Sequence, residues 1–204
     1  GGTSNAVNIY NIATNTWTGV GSSMPTPRSA VGFAQIGSFV YVVGGWGDTA
    51  PGTNSDATER YDMATDTWTT GPVFTAAKGD FAVAPGGNYL YAIGGDANGG
   101  AAFNPTTDVY RLALSAWPAG AWIDIVDPIP TAVCANNAGF YTNTVIGGEV
   151  WGTGGYTGSA IIGQNVYRMS AVPAYACMLM PAASSRPGLA GTSVDFTMTA
   201  MNAG

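Results

Sequence analysis

The sequence contains no histidine, and this absence removes a large part of enzyme chemistry. Histidine is the side chain that most often moves protons near neutral pH, and it is the commonest ligand of zinc and copper. Hydrolase triads and histidine-ligated metal centres are therefore excluded within these 204 residues. The only glutamates, Glu59 and Glu149, show no pairing of the kind that glycosidases need. We expect a chain without catalytic activity.

Charge is also scarce, with 6 basic and 12 acidic residues and a net charge of −6. Lys78 is the only lysine, so the chain has no basic surface for a nucleic-acid backbone. Charged residues make up 9% of the chain, against roughly a quarter in average globular proteins. A surface kept soluble by Thr, Ser, Asn and Gly is typical of exported proteins, and we therefore expect an extracellular or cell-surface location.

Long apolar runs are missing too. No stretch of about eighteen apolar residues is present, so we expect no membrane span. The first residues, Gly1 to Ser4, have neither the basic flank nor the apolar core of a signal peptide, and we expect no export signal within this chain.

What the sequence does have is an internal repeat near fifty residues. Glycine pairs follow short apolar runs at Gly44-Gly45, Gly94-Gly95 and Gly154-Gly155. A tyrosine follows each pair, including the opening pair Gly1-Gly2, at Tyr10, Tyr61, Tyr110 and Tyr167. In three units a tryptophan comes seven residues after the tyrosine, at Trp17, Trp68 and Trp117. A basic residue precedes two of the pairs by sixteen positions, Arg28 and Lys78, and Ala138 stands there in the last unit.

Between these markers the residues predict short β-strands. Apolar and β-branched runs pair across glycine turns as hairpins, over Ser29 to Ile36 with Ser38 to Val43, Phe81 to Ala84 with Tyr89 to Ile93, and Phe140 to Ile146 with Glu149 to Thr153. A third strand carries the tyrosine and a fourth begins at the tryptophan, so each unit is predicted to be a four-stranded antiparallel meander. The glycine pair would lie where a side chain collides with a neighbouring sheet or where φ is positive.

Diglycine, tyrosine and tryptophan at this spacing resemble the kelch repeat of β-propellers. The resemblance covers roughly residues 1–180 and implies an all-β chain of kelch-type propeller blades. The first blade lacks its first two strands, which leaves about three and a half blades where propellers need at least four. We therefore expect an incomplete propeller. Its open faces pack either against the remaining blades of a longer propeller or against another chain, such as an identical copy. The start on Gly1-Gly2 favours the longer propeller.

The tail, residues 181–204, is predicted to hold a linker and a single strand. Val194, Phe196 and Met198 alternate with polar residues, which indicates a half-buried strand. The segment resembles the start of bacterial immunoglobulin-like domains. A lone strand must pair with something: the incomplete first blade, the rest of such a domain, or the edge of a neighbouring subunit.

The two cysteines, Cys134 and Cys177, leave two alternatives open. They can form one disulfide in an oxidising compartment. A regular sheet would hold them about three strand spacings of ~4.8 Å apart, whereas a disulfide needs Cα atoms within about 7 Å. An irregular loop from Ala132 to Gly139 would bring Cys134 over the sheet edge. A disulfide and two buried thiols both stay possible.

Candidate binding residues directly follow the diglycines, at Trp46, Asp48, Asp96, Asn98 and Tyr156. Aromatic rings beside short polar groups suit sugars or protein partners, although Trp46 and Tyr156 could equally fill gaps between blades. The acidic loops, with Asp48 and Asp56 in one and Asp96 with Asn98 in the other, lack the dense Asp/Asn alternation of calcium loops. We therefore expect solvated loops and no cofactor, with calcium as the less favoured alternative.

Three functions remain on these grounds. The first is a non-catalytic interaction or structural module of a larger exported protein. The second is a self-assembling subunit of an extracellular filament or sheath, completed by strand exchange between copies. The third is an accessory propeller of a secreted enzyme, such as a subtilisin-like protease, whose active site lies outside this chain. The tail resemblance implies this last architecture, since kelch propellers followed by immunoglobulin-like modules resemble parts of secreted multidomain proteins.

Overall fold

The protein folds as a series of small β-sheets. The computed structural model describes residues 3–47, 53–99, 102–126, 128–134, 142–146, 149–158, 166–170 and 194–195. Within these ranges the regular structure consists of fourteen strands and one short 3-10 helix. Across the same ranges, no helix is long and apolar enough to cross a membrane.

The strands follow one another as hairpins along the chain. They are β1 (Val7–Asn11), β2 (Thr16–Gly21), β3 (Gly32–Ile36), β4 (Phe39–Val43), β5 (Thr58–Asp62), β6 (Thr67–Thr70), β7 (Ala82–Gly86), β8 (Tyr89–Ile93), β9 (Val109–Ala113), β10 (Trp122–Asp124), β11 (Thr142–Ile146), β12 (Glu149–Thr153), β13 (Val166–Ser170) and β14 (Val194–Asp195). The 3-10 helix, Leu114–Ala116, lies between β9 and β10. The sheets have the strand orders β1-β2, β3-β4-β5-β6, β10-β9-β8-β7 and β11-β12-β13-β14, and we number them first to fourth in that sequence.

Antiparallel pairing joins every neighbouring pair of strands except β13 and β14. The predicted hairpins therefore form as expected, with Ile36 opposite Phe39 across Gly37 and Gly86 opposite Tyr89 across Gly87. Gly37 and Gly87 have φ of +59° and +56°, a conformation that glycine adopts without steric cost. The first sheet holds two strands, as the missing part of its repeat predicts.

The diglycines join neighbouring sheets. Gly44 and Gly45 have φ of +57° and +103°. A Cβ on Gly44 would lie 2.6 Å from the carbonyl oxygen of Lys78 in the entry to the third sheet. The N–H of Gly45 donates to that same oxygen at 2.8 Å, and the N–H of Gly95 donates equivalently to Val133 at 2.8 Å. Both predicted reasons for glycine, positive φ and close approach of a neighbouring sheet, apply here.

Apolar side chains fill the space between sheets. Strand β7 packs against β3 on one side and β11 on the other, so the first strand of each of these sheets lies against its neighbour's. Between the second and third sheets, the ring of Phe74 lies 5.4 Å from that of Phe81 and 5.0 Å from that of Trp122. Burying a side chain of this size contributes roughly 1.5–3 kcal/mol, so this aromatic cluster is a main source of cohesion between the two sheets.

The third sheet departs from the repeat after its tyrosine. Trp17 and Trp68 lie directly opposite Tyr10 and Tyr61 across β1-β2 and β5-β6. In the third sheet the short helix intervenes, and β10 begins at Trp122. The expectation that this fourth strand begins at Trp117 is therefore wrong. Trp117 instead packs back on the second sheet, with its ring 5.3 Å from that of Tyr41.

In the fourth sheet, a different residue takes the structural position that Arg28 and Lys78 occupy in the second and third sheets. The residues after these two cations, Ser29 and Gly79, form β-bridges with Trp46 and Asp96, which follow the diglycines. In the fourth unit Cys134 forms the equivalent bridge with Tyr156. Val133 therefore stands at the position of the basic residue, and it is buried. Counting sixteen back from Gly154 gives Ala138 because the fourth unit has extra residues before β11. Ala138 itself lies outside the described residues.

The tail strand has a partner that the sequence did not suggest. Val194 and Asp195 pair in parallel with Tyr167 and Arg168 of β13, in the fourth sheet. Phe196 and Met198 lie outside the described residues, and the resemblance to an immunoglobulin-like module stays a prediction.

Candidate functional site

The residue after each diglycine occupies one backbone position in three successive sheets. Trp46, Asp96 and Tyr156 each donate their N–H, at 2.7 Å, to the carbonyl oxygen of the segment that enters the sheet: Ser29, Gly79 and Cys134. Three of the candidate binding residues thus lie at the same edge of their sheets. We call this edge, marked by Trp46, Asp96 and Tyr156, the loop face. Asp48 lies outside the described residues.

An aromatic row crosses the loop face. The ring of Phe103 lies 6.5 Å from that of Trp46 and 5.2 Å from that of Tyr156. Phe103 is 40% exposed, and the other two rings are partly buried. We call Trp46, Phe103 and Tyr156 the aromatic row. Phe103 was not among the sequence candidates, because it occupies no repeat position. The available signal was that it is the only large apolar residue in the Gly-, Ala- and Asn-rich loop 96–104.

Asp96 and Asn98 hold the loop that carries Phe103. The buried Oδ1 of Asp96 accepts the N–H of Asn98 at 3.1 Å and that of Asn104 at 2.7 Å. The side-chain amide of Asn98 donates to the carbonyl oxygen of Ala102 at 2.8 Å. These bonds close the loop on both sides of Phe103. Asp96 and Asn98 therefore position the aromatic ring by holding the loop that presents it.

Trp46 and Tyr156 are also fixed by local contacts. The indole of Trp46 covers Gly79, where a Cβ would lie 2.2 Å from Nε1, so a larger residue at 79 would displace the ring. The hydroxyl of Tyr156 donates to the carbonyl oxygen of Gly158 at 2.9 Å. A rigid scaffold that presents fixed side chains on its connecting loops is the usual design of a binding surface.

Asp80, which follows the Gly79 that the indole of Trp46 covers, is an aspartate in an unusual position. It is 8% exposed, has φ of +51°, and donates its N–H to Ala30 in the second sheet at 2.9 Å. Burial, and secondarily the charge of Asp96, raises the pKa of Asp80 to about 7. Its Oδ2 is buried without a hydrogen-bond partner, as are Oδ1 of Asn54 and Nε1 of Trp46. Trp46, Asn54 and Asp80 thus each hold one buried polar atom without a hydrogen-bond partner.

The thiol of Cys134 lies in the same region and is unreactive at neutral pH. Its Sγ donates to the carbonyl oxygen of Tyr156 at 3.6 Å. Burial, and after it the charges of Asp80 and Asp96, raises the pKa of Cys134 to about 12. Since the thiolate is the nucleophilic form, this group does not act as a nucleophile at neutral pH. Cys177 lies outside the described residues, and the disulfide stays a prediction.

The two basic residues of the repeat serve the frame. Arg28 forms a fully buried ion pair with Glu59, 2.6 Å from Nη2 to Oε2, and its Nη1 donates to Gly44 at 2.6 Å. Lys78 is buried with its Nζ 3.4 Å from Oδ2 of Asp108. Burial lowers the pKa of both cations, and the carboxylates partly offset that effect. Neither cation is available to a ligand on the loop face.

Metal ligands are sparse in the part of the chain that the structure describes. There, no three His, Cys, Asp or Glu side chains come together in a way that could hold a metal ion. The acidic loop residue Asp48 is outside that part.

Comparison with known proteins gives the fold a name. Residues 27–72 match the family model described as the Kelch motif. The chain also resembles the solved structure titled "Structure of YjhT", with a TM-score of 0.62 and 15% identity over 78% of this chain. The sheets described above therefore have the fold of propeller blades, and residues 27–72 match the Kelch motif within them. They form an incomplete propeller, and the match spans 48% of the YjhT chain, about half its length. No curated protein matches this chain.

Proposed function

We propose that this chain is a non-catalytic interaction module that binds a protein partner on its loop face, with the aromatic row as the main contact. The observation that carries the proposal is the meeting of Trp46, Phe103 and Tyr156, which come from three different blades. Aromatic side chains in the centre of an interface supply much of its binding energy. The Kelch motif match over residues 27–72 supports the same class of function.

The chemistry of the site favours binding over catalysis. The described nucleophile candidate, Cys134, is a buried neutral thiol, and the chain has no histidine to activate it. Asp96 is engaged by the N–H groups of its own loop. What the face offers a ligand is the apolar ring surface of the aromatic row. We therefore assign no cofactor to this module.

The proposal includes an extracellular or cell-surface setting within a larger exported protein. Its support is the scarcity of charge, 9% of residues, with a surface that depends on small polar side chains. The accessory-enzyme hypothesis differs only in placing a catalytic domain elsewhere in the same protein. The complete coding sequence tests it, since a catalytic domain is either present there or not.

Selection from a displayed peptide library, with the purified chain as bait and a glycan array in parallel, tests the proposed function. We expect peptide binders whose affinity falls about tenfold or more with Phe103→Ala, which removes a central ring. Phe33→Ala is the matched control, because Phe33 is an exposed phenylalanine of β3 whose ring takes no part in the described ring contacts of the aromatic row. Binders that tolerate Phe103→Ala, or binding to glycans alone, would contradict the proposal.

A second candidate, self-assembly, is favoured by the first sheet. Its apolar side chains are unusually exposed, with Ile12 86%, Val20 74% and Trp17 70% accessible. A cluster of exposed apolar side chains commonly marks an interaction surface. Sedimentation at increasing concentration tests this candidate. Polymers that disappear with Val20→Lys support it, and a monomer at every concentration rejects it.

A further inference from the structure

The exposed face of the first sheet repeats an arrangement of side chains that is occupied in the second sheet. We propose that this face binds the end of a β-strand from a different polypeptide segment, in which glycine is followed by a residue other than proline. The inference goes beyond binding on the loop face and does not depend on it. It rests on comparing Tyr10, Asn15 and Trp17 with the equivalent side chains of the second sheet.

In the second sheet, three side chains hold the end of strand β2. Nε1 of Trp68 donates to the carbonyl oxygen of Ser22 at 2.7 Å. Oδ1 of Asp66 accepts the N–H of Ser22 at 2.7 Å and the hydroxyl of Tyr61 at 2.6 Å. The rings of Tyr61 and Trp68 lie 5.0 Å apart. Both backbone groups of Ser22 are thus bound, so the second sheet recognises this strand end by its main chain.

A glycine precedes the residue that is held. A Cβ on Gly21 would lie 2.6 Å from the hydroxyl oxygen of Tyr61 and 3.0 Å from Oδ1 of Asp66. These two atoms are joined by a hydrogen bond, and moving either one away would weaken it. The site therefore selects glycine at this position. The next residue must bring a backbone N–H, which excludes proline.

The first sheet has the same three side-chain positions. Tyr10 lies opposite Trp17 across β1-β2, with ring centroids 5.1 Å apart. The hydroxyl of Tyr10 donates to Oδ1 of Asn15, as that of Tyr61 does to Asp66. Asn15 and Asp66 also share a left-handed backbone, with φ of +54° and +55°. The ring pair, the acceptor and the turn that holds them are therefore formed in the first sheet.

The two sheets differ in how far these side chains are covered. Tyr61 is 7% exposed, whereas Tyr10 is 42% and Trp17 70% exposed. An amide oxygen such as Oδ1 of Asn15 can accept a second hydrogen bond, and the indole N–H of Trp17 can donate one. Exposed apolar rings that lie together commonly mark an interaction surface. The first sheet thus offers a partner the groups that hold Ser22 in the second sheet.

The described strand ends of this chain do not supply the partner. Gly21 is covered by the second sheet, and a Cβ on Gly71, which follows β6, would lie 2.2 Å from the indole of Trp117. Gly71 is also followed by Pro72, which has no N–H. Strand β10 and the two residues after it contain no glycine. Among the described residues, a second copy therefore has no uncovered strand end of the required kind, which favours a different polypeptide segment.

A cyclised hairpin that presents the strand end is the probe. The N–H of Met24 lies 2.8 Å from the carbonyl oxygen of Asn5, so residues 5–24 can be joined head to tail. Cyclisation reduces the cost of ordering the probe on binding. Trp17→Thr in the probe removes its own copy of the site. Cross-strand NMR contacts between Val7 and Gly21, which are paired in the protein, verify that each free probe forms the hairpin.

The isotope-labelled full chain is titrated with this probe, and the indole signal of its Trp17 is followed by NMR. We expect a saturable shift of that signal. Binding should weaken about tenfold when the probe carries Gly21→Ala or Ser22→Pro, which remove the close fit and the N–H. Asn15→Gly in the full chain should weaken binding similarly, because it removes the acceptor while glycine keeps the positive φ.

Phe33→Ala in the full chain is the matched control, since this exposed ring makes no described contact with the ring pair of the first sheet. It should leave the affinity unchanged. Equal affinity for all three probes, or no shift at a probe concentration of about 1 mM, would overturn the inference. A Trp17 signal that moves with the concentration of the chain alone would assign the face to a second copy and would also overturn it. None of these outcomes affects the loop face, which Phe103→Ala tests separately.

Discussion

The second and third sheets use the same backbone positions with different side chains. At the position before the entry segment, Arg28 pairs with Glu59 at 2.6 Å, and both side chains are buried. The equivalent Lys78 pairs with Asp108 at 3.4 Å, and Asp108 is 43% exposed. The tight pair belongs to the sheet that matches the Kelch motif. The looser one belongs to the sheet that carries the loop of Phe103.

Two further pairs of equivalent residues also differ between the second and third sheets. Ala30 and Asp80 share a left-handed backbone, with φ of +49° and +51°, yet only the second carries a carboxyl group, and that group is buried. After the diglycines, Trp46 covers the neighbouring sheet, whereas Asp96 organises its own loop. Backbone geometry is thus retained where sheets must join, and side chains change where a surface is built. These changes mark the third sheet as the centre of the site.

Breaking the tight ion pair should have the largest effect. Glu59→Gln leaves Arg28 buried without its countercharge and should lower the free energy of unfolding by about 3–5 kcal/mol. Asp108→Asn, the equivalent change in the third sheet, should cost only about 1 kcal/mol because solvent reaches that pair. Urea unfolding of both variants measures the difference. Equal losses would show that the two sheets are supported alike.

The contrast between Ala30 and Asp80 can be measured by pH. The pKa of Asp80 is raised from 3.8 to about 7 in the folded state, so folding favours its protonated form. Its contribution is fully present below about pH 4 and is lost as the pH rises through 7, which amounts to up to about 4 kcal/mol. Asp80→Asn should flatten the stability profile over this interval. An unchanged slope in the variant would assign the pH dependence to other groups.

Two glycines test how closely the second and third sheets fit. A Cβ on Gly71, after β6, would lie 2.2 Å from the indole of Trp117, so Gly71→Ala must displace that ring. We expect a loss of about 1–3 kcal/mol. Gly19→Ala on the first sheet meets nothing within 4 Å and should change stability by no more than about 0.5 kcal/mol. Thermal unfolding of both variants provides the comparison, and similar shifts would count against tight packing by Trp117.

The smallest expected effect is a change of titration. The hydroxyl of Tyr61 donates to Oδ1 of Asp66 at 2.6 Å, and this bond is the main reason that the pKa of Tyr61 is raised to about 12. Asp66→Asn, which copies Asn15 of the first sheet, should bring the Tyr61 pKa down toward 10. Ultraviolet titration follows the phenolate. A tyrosine titration that does not move would mean that this hydrogen bond has little effect on Tyr61.

The sequence predicts what depends on local repetition. Alternating apolar runs and the positive φ that glycine permits specify the hairpins, which explains why β4, β8 and β12 match their expected positions closely. The role of the diglycines was predictable for the same reason, because the close approach of a neighbouring sheet requires glycine at the same position of each repeat.

Long-range contacts, and the way in which insertions displace repeat residues, were not predictable in this way. The short helix before β10 moves Trp117 out of the sheet position that its spacing indicates, and the extra residues before β11 mislead the count that selects Ala138. Phe103 joins the site only because the loop held by Asp96 brings it between rings of two other blades. The spacing of residues along the sequence does not indicate these ring contacts.

The backbone bonds from Gly45 to Lys78 and from Gly95 to Val133 have a consequence for how the protein comes to be made. Each diglycine finds its acceptor only in the stretch synthesised after its own sheet. During synthesis a blade therefore lacks this hydrogen bond until the next entry segment has been translated. Assembly would advance in the direction of translation, one blade locking the previous one, and fraying would begin at whichever blade lacks a successor.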